Sequence, residues 1–211
     1  MRISTTTLES YRLFCEPDND WMTEDELLAT IRGEFVPTHA VLLGQAFGRV
    51  LEDPDRYRVR SGYICNGFAF GDDVMAEPLA LFDRRGVFEA KTTKAYGDCT
   101  VVAKADQLIG TRIIENKTTL STFDFDKYAK SCQWRFMLDL FEAAACTYHV
   151  FCLYEGSTGV IELKSIETFT LYPYPALHQE CRELVARFAD YVRAKGLDGL
   201  LRERQHKAEA A

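Results

Sequence analysis

Residues 99–119 read CTVVAKADQLIGTRIIENKTT, two β-type runs rich in Val and Ile on either side of Gly110 and Thr111. A two-residue loop that begins with Gly suits a type II′ hairpin turn, because Gly takes positive φ without steric cost. With those two residues as the turn, Ile109 faces Arg112, Leu108 faces Ile113, Gln107 faces Ile114 and Asp106 faces Glu115. Residues directly opposite each other hold their Cβ atoms about 4.5–5.5 Å apart, so this register predicts that the two carboxylates meet. Strand alternation puts Lys117 on the face of Glu115, and the same register carries Lys104 opposite Lys117.

Two neighbouring anions repel, and the usual resolutions are a shared proton or a bound divalent cation. Hard oxygen ligands suit Mg2+ or Mn2+. Such a cation makes bound water nucleophilic and offsets charge on a phosphate, while Lys117 orients the water or stabilises the transition state. A bare Glu-x-Lys tripeptide recurs by chance in most proteins. An Asp set across a Gly-turn hairpin, between Val-Val and Ile-Ile, is rarer, and it points to metal-assisted hydrolysis of a phosphodiester.

Working outward, Thr23 to Ile31 reads as a short helix with an acidic start, ending near Gly33. Thr38 caps a second helix whose Leu42, Leu43, Ala46, Val50 and Leu51 form an apolar stripe. Gly44 and Gly48 lie four apart and share a face of that helix, where they admit a close neighbour or merely weaken it. Residues 54–98 mix short apolar runs with Gly, Asp and basic residues and yield no firm elements; they are expected to form a variable insertion. After the hairpin, a long apolar helix is expected from Asp124 or Asp126 through FDKYAKSCQWRFMLDLFEAAA. Two strands, YHVFCLYE and GVIELKSI, flank the turn EGST, and a closing helix spans Ala176 to Lys195 with Gly196 just past its end. This order predicts a mixed α/β fold, a central mixed β-sheet flanked by helices, in one domain over 1–211 with a frayed tail at 203–211.

Four stretches, in order, resemble the PD-(D/E)XK nuclease superfamily and in particular its RecB-like, phage-type exonuclease branch. ISTTTLESYRLFC, with Ser4, Leu8, Tyr11 and Cys15, is similar to that branch's opening helix. GQAFGRVLE resembles its Gly-x-x-x-His-x-x-Leu-Glu helix at Gly44, Leu51 and Glu52. ADQLIGTRIIENKTT resembles its Asp…Glu-x-Lys centre, and YAKSCQWRFMLDLF its Gln-x-x-x-Tyr helix at Tyr128 and Gln133. The resemblance implies a restriction-endonuclease-like core. It makes Asp106 and Glu115 metal ligands, with the Asn116 carbonyl completing the shell, Lys117 catalytic and Glu52 a further carboxylate near the metal. It gives Gln133 a role in steadying the site or touching nucleic acid. Two departures matter: Gly48 stands where the branch often has a metal-binding His, and Met137 where it has the Tyr. The first puts a two-metal arrangement in doubt, the second the substrate contact.

The chain has 211 residues, 47% hydrophobic and 12% aromatic, enough for a substantial core. With 25 Lys and Arg against 32 Asp and Glu its formal charge is -7, which argues against a protein that coats nucleic acid over its whole surface. A local patch is compatible: Lys104, Lys127, Lys130 and Arg135 could contact phosphates, and Trp134, Phe136, Phe141 and Tyr148 could stack on bases, although a solvated face and a core are the plainer readings. Seven cysteines without a CxxC pair, and no signal peptide or membrane span, lead to an expectation of reduced thiols in a cytoplasmic protein. Some relatives hold an iron–sulfur cluster, but only Cys181 follows in the C-terminal region, so none is expected here. The expected partners are a single- or double-stranded DNA end and a second copy of the chain or a recombination protein. The expected activity is an exonuclease of recombination or repair. A sequence-specific endonuclease and a catalytically reduced accessory subunit that binds nucleic acid are the rivals.

Overall fold

A computed structural model describes residues 1–17, 22–82 and 85–201, so the tail at 203–211 lies outside the described residues. The chain opens with β1 (Arg2–Ser4), α1 (Thr5–Phe14), α2 (Glu24–Arg32) and α3 (His39–Glu52). Local chemistry sets these boundaries. Thr23 and Glu26 form a reciprocal capping box at the start of α2, and Gly33 ends it in the left-handed region at φ 74. The Thr38 hydroxyl caps α3 by accepting from Val41 N–H.

The stretch at 54–98 holds the short helix α4 (Pro54–Tyr57), a separate sheet of β2 (Arg58–Val59), β3 (Gly62–Cys65) and β4 (Phe68–Gly71), and α5 (Asp72–Leu81). Its last part is β5 (Val87–Tyr96), a strand of the central sheet itself. Then follow β6 (Cys99–Ile109) and β7 (Arg112–Thr119). Of the two turn residues only Gly110 has positive φ, 58°, as type II′ requires.

The expected long helix is instead two, α6 (Phe125–Lys130) and α7 (Gln133–Phe141). At the break Ser131 adopts ψ 140, and the Glu9 carboxylate of α1 accepts from Ser131 Oγ at 3.0 Å and Cys132 N–H at 2.7 Å. A tertiary acceptor thus replaces the helical bonds that continuation would have made. The chain ends in β8 (Ala145–Glu155), β9 (Ile161–Leu171) and α8 (Leu177–Ala194).

The central sheet runs β1-β6-β7-β8-β9, with β5 on the other edge of β6. It is mixed: β1 with β6 and β7 with β8 are parallel, the remaining pairs antiparallel. Helices cover both faces. Alternate residues of β8 show it: Tyr148 and Val150 enter a core with α1, α2, α7 and α8, whereas Phe151 and Leu153 enter a second core with α3, α5, β3 and β4. Trp134, Phe136 and Tyr148 belong to the first core and offer no face to bases. Six cysteines are buried and Cys15 is exposed. No helix among the described residues is long and apolar enough to cross a membrane.

One edge of β6 is shared. β1 pairs with residues 100–102 and β7 only with 107–109. The hairpin ladder therefore stops at Gln107 opposite Ile114, and beyond it β7 runs on beside β8 to Thr119. This corrects the sequence-based register. Asp106 and Glu115 are not a ladder pair, and Lys104 lies across from Lys91 of β5 rather than Lys117. The two strands part where β7 follows β8, and the gap they leave opens at Asp106.

Candidate active site

Where the ladder ends, side chains take over from the backbone. Asp106 N–H donates to Glu115 Oε1 at 3.2 Å, and Asn116 N–H donates to Asp106 Oδ2 at 2.8 Å. The carboxylates stitch the diverging strands and so come together, although not in the geometry the hairpin alone predicts. Lys117 Nζ donates to Glu115 Oε2 at 2.7 Å.

Glu115 is only 2% exposed. Burial pushes its carboxyl above the ordinary range, against the pull of Lys117, because desolvation penalises the charged form. The Lys117 ammonium moves the other way. Burial opposes its charge, but Glu115 and Asp106 outweigh that and raise it further above its usual value. Lys117 is thus a fixed cation and hydrogen-bond donor rather than a base near neutral pH.

These groups floor a cleft of about 830 Å³ lined by Asp106, Asn116, Lys117, Lys104, Gln133 and, from α3, Gly44, Gly48, Arg49 and Glu52. α3 reaches this position because Gly44 has no side chain: a Cβ there would lie 2.6 Å from Thr118 Oγ1 of β7. Gly48, one turn on, is different, for a Cβ would meet nothing within 4 Å. The two glycines thus divide the readings given to them, close approach at one and open space in the cleft at the other. Burial, with Glu89 and Asp106 nearby, raises the Glu52 carboxyl above its ordinary range, which ties Glu52 electrically to the same centre.

The sequence-predicted residues divide accordingly. Asp106, Asn116, Lys117, Glu52, Lys104 and Gln133 line one cleft, with Glu115 beneath them. Tyr128 and Lys130 are not part of its lining. Tyr128 packs its ring against Phe123, Tyr148 and Phe169. Sequence reasoning missed Glu89 and Arg49. Glu89 holds φ 52 within β5, between the ladder pairs Phe88–Gln107 and Ala90–Ala105, and ion-pairs with Lys104. Left-handed backbone at a non-glycine costs on the order of 1–3 kcal/mol and collects at functional sites. No sequence signal marked it, since nothing in 54–98 was legible.

The donor set fits a small hard cation. Among the described residues no group of three His, Cys, Asp or Glu side chains is gathered to grip a metal unaided. Mg2+ does not need one, because it keeps several waters and uses one or two carboxylates plus substrate phosphate. Asp106, Glu115 and the Asn116 carbonyl supply such oxygens. Glu52, Glu89, Asp106 and Glu115 bring four carboxyl groups together with only three basic side chains, Arg49, Lys104 and Lys117, a surplus of acidic oxygens that suits a cation.

No family model matches this sequence, and no curated protein does either. Solved structures do. A protein of Eubacterium rectale described as an exonuclease aligns with a TM-score of 0.56 at 12% identity, covering 92% of this chain and 81% of its own. A phage-related exonuclease from Haemophilus somnus aligns at 0.52 and 10%, covering 92% and 96%. An alkaline exonuclease from Laribacter hongkongensis aligns at 0.51 and 12%, covering 99% and 94%. The chain shares the fold of these exonucleases, a central mixed sheet flanked by helices.

Proposed function

We propose that the chain is a divalent-metal-dependent deoxyribonuclease, an exonuclease that hydrolyses phosphodiester bonds at DNA ends during recombination or repair. The observation that carries this reading is the parting of β6 and β7 at Asp106. It leaves two carboxylates and a lysine at the floor of an open cleft, on a fold shared with exonucleases. Asp106, Glu115 and the Asn116 carbonyl would hold Mg2+ or Mn2+, with Glu52 at the rim. Bound there, the cation would supply Lewis acidity and would lower the pKa of its water.

The chain's own groups do the rest. Lys117 stays protonated against Glu115, so its ammonium meets charge developing on the phosphate and orients the attacking water. Glu115 keeps Lys117 in place through their 2.7 Å contact. Gln133, at the start of α7, and Lys104 face the cleft where a strand would enter and steady it.

End-labelled single- and double-stranded DNA, digested with Mg2+, Mn2+ or EDTA, tests this. Shortening from an end is expected with metal and none with EDTA, and Asp106→Ala and Lys117→Ala should each abolish it. Cleavage that persists in EDTA or in both variants sinks the mechanism. Cutting of closed circular DNA would indicate an endonuclease. Retention of DNA without cleavage under any condition would favour an accessory binding protein, a reading that the open space at Gly48 keeps in play.

A further inference from the structure

Residues 56–71, RYRVRSGYICNGFAFG, hold three arginines and no Asp or Glu in a chain whose net charge is -7. The segment is α4's end and the small sheet β2–β4, and Arg56, Arg58 and Arg60 are all exposed. Their charges are only partly met. Arg58 ion-pairs with Asp72, while Arg56 and Arg60 make no ion pair among the described residues. Two of the guanidinium groups lie over rings, Arg58 at 4.8 Å from the Tyr63 centroid and Arg56 at 5.7 Å from that of Tyr57. A guanidinium laid on a tyrosine turns its free face outward, where it can pair with a phosphate or lie against an unstacked base.

The sheet adjoins the cleft wall. Arg49 lines the cleft and donates from Nη1 to Asn66 Oδ1, at the β3–β4 turn, at 3.3 Å. Phe47 and Val50 of α3 pack in one core with Cys65 and Phe70 of the sheet, so the sheet is fixed to the helix that forms the cleft wall. Arg49 thus joins the cleft wall to the sheet on which Arg56, Arg58 and Arg60 lie exposed. Several exposed arginines beside the cleft fit a polyanion rather than a single small anion.

We infer that the arginine-bearing sheet β2–β4 is a track for a single nucleic-acid strand entering or leaving the cleft. Single strands are favoured because guanidinium groups held over Tyr57 and Tyr63 can lie against unpaired bases as well as pair with phosphates. The inference rests on the nuclease reading for what happens in the cleft, but strand binding is measurable without catalysis.

The test is binding of a fluorescein-labelled oligothymidylate in EDTA as a function of salt, for the whole chain and the double variant Arg56→Ala/Arg60→Ala. Loss of two phosphate contacts lowers the slope of log K against log salt by about 1.4 and weakens binding about 25-fold at about 0.1 M salt. Arg56→Lys/Arg60→Lys, which keeps both charges, should hold the salt slope, whereas a mere folding defect would not separate the two doubles. In the cleavage assay the alanine double should raise KM for the oligonucleotide far more than it lowers kcat. An unchanged slope and affinity in a folded alanine double overturns the track. So does tighter binding of a duplex than of the single strand by the wild type. If no metal yields cleavage while the salt slope falls as expected, the track stands and the nuclease reading falls.

Discussion

Replacing Gly44 and Gly48 separately by alanine tests whether α3 is set against the sheet by a missing side chain. Both lie inside the same 14-residue helix, where Gly→Ala gains about 0.8–1.0 kcal/mol from propensity alone. At Gly48 the added Cβ meets nothing within 4 Å, so the gain should appear in full. For a chain of this size that raises Tm by roughly 2–4 °C. At Gly44 the same Cβ would lie 2.6 Å from Thr118 Oγ1. Thr118 is β-branched, and rotating the hydroxyl away brings its methyl toward the same space. Helix or strand must then shift, and overpacking of this kind costs about 1–3 kcal/mol. Subtracting the propensity gain leaves Gly44→Ala destabilised by up to about 2 kcal/mol, and about 1–3 kcal/mol below Gly48→Ala. Urea midpoints and thermal melts of both variants measure the difference. Adding Thr118→Ala to Gly44→Ala should recover most of the loss, because the clashing atom is gone. If Gly44→Ala melts as high as Gly48→Ala, the close approach is not what places α3, and the account of how Glu52 reaches the cleft fails with it.

Other expectations follow from the same geometry. Burial pushes the Asp139 carboxyl up, but Tyr96, Lys94 and His178 overcome it and hold it below the ordinary range. Its folded pKa is therefore below the unfolded one, so its stabilisation is present above about pH 4 and is lost as pH falls through the lower folded value. Asp139→Asn should cost about 1–3 kcal/mol near pH 7 and flatten the acid limb of a Tm-against-pH curve; an unchanged limb would refute this. Glu9→Ala strips the acceptor from Ser131 and Cys132 and should cost about 1–3 kcal/mol in urea unfolding. Glu16→Ala, which loses only an ion pair to Arg12 near the surface, should cost no more than about 1 kcal/mol. Equal losses would contradict the capping of α7 by Glu9. Mg2+ or Mn2+ at about 100 times its Kd should stabilise the folded chain by about 2.7 kcal/mol. A melting shift that survives Asp106→Ala would place the cation elsewhere.

Features governed by near neighbours were legible in the sequence. Thr23 and Gly33 bound α2 because caps act within one turn, and Gly110 made the hairpin because only its own φ is needed. That Asp106, Glu115 and Lys117 come close together was legible for the same reason, since they stand within a few positions of that turn. Tyr128, by contrast, was assigned by likeness and Lys130 as part of a patch of cations; they belong to an aromatic cluster and an exposed helix end.

What the tertiary structure decided lay far off in the chain. The break between α6 and α7 is made by Glu9, 122 residues from Ser131. β5 hid because its polar run of Lys91, Thr92, Thr93 and Lys94 owes its strand form to pairing with β6 rather than to its own burial. Glu89, carried on that strand, was hidden with it. The hairpin register, read locally, sets the carboxylates as a ladder pair. In the folded chain β1 occupies part of the same edge of β6 while β8 holds β7 along its whole length, so the strands part. A short hairpin ladder yields to a longer parallel one, and the space between them becomes the cleft.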